Sequence, residues 1–121
     1  MATMLVVDDD RQIVRLLSDF LRVRGHEVYE AGNGMEALCL ARTQRFDVVF
    51  LDIVMPQMDG NDTLRLLRSD SPETVVIMIS GTSDQEVAIR ALDLGAFDYV
   101  MKPFDLQHLE SVVLNGLAMR S

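Results

Sequence analysis

The 121-residue sequence is short of cysteine, lysine and positive charge. Its single cysteine, Cys39, excludes an internal disulfide and suits a reducing, cytoplasmic compartment. The thiol sits in the apolar stretch Glu36-Ala37-Leu38-Cys39-Leu40-Ala41 and is expected to be a buried core group. Eleven Lys and Arg stand against nineteen Asp and Glu, a net charge of −8. That sign repels nucleic-acid backbones and anionic membrane surfaces, so neither is expected as a direct partner. No apolar run approaches the roughly 20 residues that cross a bilayer. The opening Met1-Ala2-Thr3-Met4 lacks the basic segment of a secretory leader, and Leu5 to Val7 is too short to be its apolar part. Repeats, linkers and low-complexity tracts are also missing, so residues 1–121 read as one domain.

What the chain does have is an alternation of short apolar runs and longer amphipathic ones. Met4 to Val7, Glu27 to Ala31, Phe46 to Leu51, Val75 to Ile79 and Phe97 to Met101 read as strands. Between them, helical spacing predicts helices over Arg11 to Val23, Gly34 to Arg42, Asn61 to Arg68 and Asp84 to Leu94. A last helix follows Asp105, with Leu106, Leu109, Val112, Val113 and Leu117 in one stripe. Gly25 and Gly95 stop helices, and Asn33 and Asp105 are placed to cap them. Five consecutive strand–helix units with apolar strands predict an α/β fold, a doubly wound parallel sheet covered by helices on both faces.

In open sheets of this kind, sites form beyond the carboxyl ends of the strands. The first strand ends in Asp8-Asp9-Asp10, the third in Asp52, the fourth in Ser80-Gly81-Thr82 and the fifth in Lys102-Pro103. Asp52 follows the apolar run Val48 to Leu51, so its carboxylate is no ordinary loop charge. Carboxylates held close repel unless a cation relieves them, and hard oxygen donors suit Mg2+, Mn2+ or Ca2+. Mg2+, which keeps waters and shares a phosphate, fits a site with few protein ligands best. Lys102 is the only lysine; the other ten basic residues are arginine. Its ammonium is a point charge suited to a phosphoryl oxygen, or simply an ion-pair partner for Asp52.

These motifs resemble the receiver domains of bacterial two-component response regulators. The marks are Val6-Val7-Asp8-Asp9-Asp10, the run Asp52-Ile53-Val54-Met55-Pro56-Gln57-Met58-Asp59-Gly60, Ile79-Ser80-Gly81, and Gly95 through Lys102-Pro103-Phe104. They cover essentially the whole chain in order. The resemblance implies a flavodoxin-like strand order 2-1-3-4-5. It implies that Asp52 accepts a phosphoryl group from a sensor histidine kinase. Asp9 and Asp52 would ligate Mg2+ by side chain, Val54 by its carbonyl and Asp8 through water. Lys102 and Ser80 would contact the phosphoryl oxygens, Tyr99 would move inward with Ser80, and the Lys102–Pro103 peptide would be cis. An output domain or downstream protein, and a phosphorylation-dependent homodimer, are the further partners it implies. Family members tune phosphoryl lifetime at the positions of Val54 and Thr82. Neither side chain here orients a water, so a long lifetime is expected.

Other readings stand beside these. Asp10 serves as a helix cap ahead of a metal contact, and Tyr99 could be a plain core aromatic. Asp59-Gly60 reads as a turn, and His26 and His108 as surface residues. An Mg2+-dependent phosphohydrolase with an aspartyl-phosphate intermediate is the rival function. Such enzymes often carry a general acid two residues past the nucleophile, where this chain has Val54. A nucleotide-binding domain is disfavoured because no G-x-G-x-x-G or P-loop follows the first strand.

Overall fold

The structure is a computed structural model that describes residues 2–55, 58–81 and 85–119. Its strands are β1 (Thr3–Val7), β2 (Glu27–Ala31), β3 (Val48–Asp52), β4 (Val75–Ser80) and β5 (Asp98–Met101). Its helices are α1 (Arg11–Val23), α2 (Gly34–Thr43), α3 (Gly60–Asp70), α4 (Gln85–Asp93) and α5 (Leu106–Met119). All strand pairs are parallel, in the order β2-β1-β3-β4-β5.

The two-residue period of a strand sends alternate side chains to opposite faces, which explains why the apolar runs are continuous. Met4, Val6, Phe50 and Ile77 join Leu17 and Leu21 of α1 and Leu109 and Val113 of α5 in one core. Leu5, Val7, Val49, Leu51 and Met78 join Leu38 of α2, Leu64 and Leu67 of α3 and Ala91 of α4 in the other. Burial of each large apolar side chain contributes about 1.5–3 kcal/mol.

Helix starts are fixed by side-chain caps, each worth about 1 kcal/mol. Asp10 Oδ1 accepts from Gln12 N–H at 2.9 Å, and Asn33 Oδ1 from Glu36 N–H at 2.9 Å. Asp59 Oδ1 accepts from Asp62 N–H at 2.9 Å, and Asp105 Oδ1 from Gln107 N–H at 2.8 Å. Gly25 and Gly95, at φ 90° and 110°, turn the chain out of α1 and α4 in the left-handed region.

Several expectations need correction. Cys39 is exposed. α2 buries Gly34, Ala37 and Leu38, and the residue after Leu38 is rotated by about 100° toward water. Phe46 and Phe97 lie outside their strands. Asp47 Oδ2 accepts from Thr3 N–H at 2.8 Å, tying the start of β1 to the approach to β3. Asp59 is the α3 cap rather than a bare turn residue, and α3 runs from Gly60 to Asp70. Asp84, Thr82 and Arg120 lie outside the described residues. Among those described, no helix is long and apolar enough to cross a membrane.

Candidate functional site

The chain leaving β1 enters α1 on one face of the sheet, and the chain leaving β3 enters α3 on the other. β1 and β3 are neighbours, so a crevice opens between their carboxyl ends. Asp8 and Asp52 stand in it. Asp8 continues the alternation of Met4 and Val6, as Asp52 continues that of Val48 and Phe50, so the two carboxylates lean to the same side.

Asp8 is 1% exposed and Asp52 4%, whereas Asp9 is exposed. One carboxylate oxygen from each of Asp8, Asp9 and Asp52 lies within 4.8 Å of the others. The Asp8 main chain is held by its N–H donating to Ala31 O at 3.2 Å, and Asp8 Oδ1 accepts from Asp10 N–H at 2.9 Å. Asp8 Oδ2 is buried. What answers its charge is Lys102 Nζ, 2.7 Å away and also 3.5 Å from Asp52 Oδ2.

Burial, and next the Asp8 charge, push the Asp52 carboxyl up to about 7; Lys102 and the Val54 N–H oppose this only in part. Burial also works against the Lys102 charge, but the Asp8 hydrogen bond and the Asp52 and Asp8 charges outweigh it and raise its pKa. Three carboxylates facing one ammonium leave a net negative site. A hard divalent cation fits that donor set.

Ser80, 1% exposed, ends β4 one residue past Ile79, which pairs with Asp52. Its carbonyl accepts from Lys102 N–H at 2.7 Å, fixing where the lysine leaves the sheet. The Lys102–Pro103 peptide is cis. Tyr99 pairs with Met78 and packs half-buried against the α2–α3–α4 side of the core. By strand alternation Ser80 lies on the Met78 face, so Ser80 and Tyr99 share that face on adjacent strands. Val54 presents an exposed side chain beyond β3. Asp10 has its carboxylate engaged in the α1 cap. His108 is exposed, and burial lowers the pKa of the half-buried His26, whose Nδ1 accepts from Ala2 N–H at 3.1 Å.

The structure thus brings Asp8, Asp9, Asp52 and Lys102 together, and Ser80 ends the adjoining strand β4. Sequence reasoning missed that Lys102 lies nearer Asp8 than Asp52. It also missed the Asp59 cap, although Asp59 and Asp62 have the three-residue spacing of a capping pattern. A groove of about 630 Å³ between α1 and β2 includes none of Asp8, Asp52 or Lys102 among its lining residues.

A family model described as response regulator receiver domain matches residues 4–114. The chain is 43% identical over 117 residues to regulatory protein AtoC of Escherichia coli, covering 97% of this chain and 25% of that protein. It is 41% identical over 117 residues to the probable transcriptional regulatory protein TcrX of Mycobacterium tuberculosis, covering 97% and 49%. The chain therefore spans a quarter to a half of these relatives' length. Among solved structures, a Francisella response regulator receiver domain superposes with a TM-score of 0.90 at 33% identity, covering 98% of each chain.

Proposed function

This chain belongs to the response regulator receiver domain family of two-component signalling, whose standard role is to accept a phosphoryl group, and on that footing we propose that Asp52 is the acceptor. The observation that carries the assignment is the Asp8–Asp9–Asp52 cluster with the Lys102 ammonium inside it.

An Asp52 carboxylate oxygen attacks phosphorus. The bond from phosphorus to an imidazole nitrogen of a sensor kinase histidine breaks, and its electron pair leaves with the imidazole. The product is an acyl phosphate on Asp52. Such transfers depend on positioning and charge neutralisation. Asp9 and Asp52 side chains, the Val54 carbonyl and, through water, Asp8 would hold Mg2+, which when bound neutralises phosphoryl charge. Lys102 moves toward the phosphoryl oxygens as the charge arrives, drawn from Asp8. Ser80 supplies a hydroxyl on the β4 side, and Tyr99, on the same face, follows it. The domain catalyses its own phosphorylation and dephosphorylation, and a neutral Val54 beside the acceptor favours a long-lived product. A cytoplasmic setting, one receiver unit over residues 1–121, and an output domain or downstream protein as recipient complete the reading. The relatives' regulatory names and greater length support the last point.

The test is intact mass after incubation with acetyl phosphate and Mg2+, with Asp52→Asn beside it. One phosphoryl adduct, lost in the variant, supports the acceptor role. Multiple-turnover phosphate release from varied esters would instead favour a phosphohydrolase.

A further inference from the structure

The peptide that follows the acceptor is gripped from two sides. Ile53 N–H donates to Ile79 O at 3.3 Å, and Ile53 O accepts from Gly60 N–H at 2.6 Å. Gly60 is the first residue of α3 and is buried. A Cβ built on it would overlap the Asp52 carbonyl oxygen and stand 2.5 Å from Ile53 Cα and 3.0 Å from the Asp52 carbonyl carbon. These are main-chain atoms, so no rotamer change makes room. α3 is not free to retreat. Asp59 caps it, Thr63 Oγ1 donates to Asp59 O at 3.1 Å, and Leu64 and Leu67 are buried in the core.

We infer that Gly60 is a positioning residue for the acceptor: its missing side chain lets the start of α3 close on the Asp52–Ile53 backbone and so sets the Asp52 carboxylate and the Val54 main chain relative to Asp8 and Asp9. The inference rests on the acceptor reading above. A Cβ at position 60 would displace the Asp52–Ile53 segment by about 1 Å, and misplacement on that scale can cost on the order of 100-fold in rate. Gly116 of α5 provides a contrast. A Cβ there would lie 2.8 Å from Val75 Cγ1 and 3.3 Å from Phe97 Cδ2, side-chain atoms at the amino end of the sheet, away from the acceptor.

The test compares wild type, Gly60→Ala and Gly116→Ala. Calorimetry with MgCl2 alone gives the Mg2+ Kd of each, and intact mass gives the rate of adduct formation from acetyl phosphate at saturating Mg2+. Expected for Gly60→Ala is a Kd raised, and a rate lowered, by about tenfold or more, while Gly116→Ala stays within about threefold on both. Gly60→Ala within about twofold of wild type on both overturns the inference. Should Gly60→Ala fail to fold, cap deletions decide. Asp59→Ala loosens the start of α3 and is expected to weaken Mg2+ binding, while Asp59→Asn, which keeps a capping oxygen, restores it. Asp105→Ala, the matched loss at α5, is expected to leave binding unchanged; equal effects from Asp59→Ala and Asp105→Ala overturn the inference. A wild type that binds Mg2+ but forms no adduct overturns the acceptor reading instead, and the calorimetry alone then decides the role of Gly60.

Discussion

Lys102 holds its ammonium 2.7 Å from Asp8 Oδ2 and only 3.5 Å from Asp52 Oδ2. The lysine therefore neutralises the fully buried carboxylate after β1 more than the acceptor at the end of β3. Asp52 keeps much of the penalty of its burial, which is why its carboxyl titrates so high.

Removing this cation leaves buried carboxylates facing each other without a counter-charge. Lys102→Met is expected to lose about 2–4 kcal/mol of stability in EDTA at pH 8. Urea unfolding measures it. A loss below about 0.5 kcal/mol, as for an ordinary surface pair, would show that the contact carries little.

Asp52 also gives the metal-free domain a pH dependence. Folding raises its pKa from 3.8 to about 7, so the folded state holds this proton more tightly. Its stabilising contribution is complete below the unfolded value and is lost as pH rises through about 7. Relative to Asp52→Asn, the wild type in EDTA should lose roughly 1–3 kcal/mol between pH 4 and pH 8. A constant difference across that range would contradict the shift.

Asp9 is exposed, so Asp9→Asn should change metal-free stability by less than about 0.5 kcal/mol. The same change removes one hard ligand from the cluster. Millimolar Mg2+ should raise the wild-type Tm, because a ligand that binds only the folded state stabilises it. Asp9→Asn should lose most of that rise. An equal rise in both proteins would place the cation elsewhere.

Asp10 separates capping from metal binding. Its carboxylate already accepts from Gln12 N–H. Asp10→Ala should cost about 1 kcal/mol in urea unfolding and leave the Mg2+ Kd within about twofold. A large Kd change with no stability loss would reverse the assignment.

The layering was legible in the sequence because buried parallel strands read as unbroken apolar runs, and glycines and caps punctuate the helices between them, whereas the strand order followed from the resemblance to receiver domains. The clustering of Asp8, Asp52 and Lys102 was legible because these residues end those runs. What the sequence left out depends on three-dimensional approach. Nothing in the spacing of Lys102 shows that it reaches Asp8 before Asp52, since both strand ends lie far from it along the chain. Gly60 reads as half of an Asp-Gly turn, and only the nearness of the Asp52 carbonyl shows why a side chain cannot be there. Cys39 misled for a local reason: apolar neighbours on both sides suggested burial, but helix rotation turned that one position outward.

The most direct measurement of the acceptor role is chemical trapping. An acyl phosphate is reduced by borohydride, so the carboxyl that carried phosphorus becomes the alcohol of homoserine. After treatment with acetyl phosphate and Mg2+, borohydride and proteolysis, mass spectrometry of the peptides locates that residue. Expected is homoserine at position 52 alone, dependent on Mg2+. Homoserine at position 8 or 9, or none in a protein that gained phosphoryl mass, would contradict Asp52 as the acceptor.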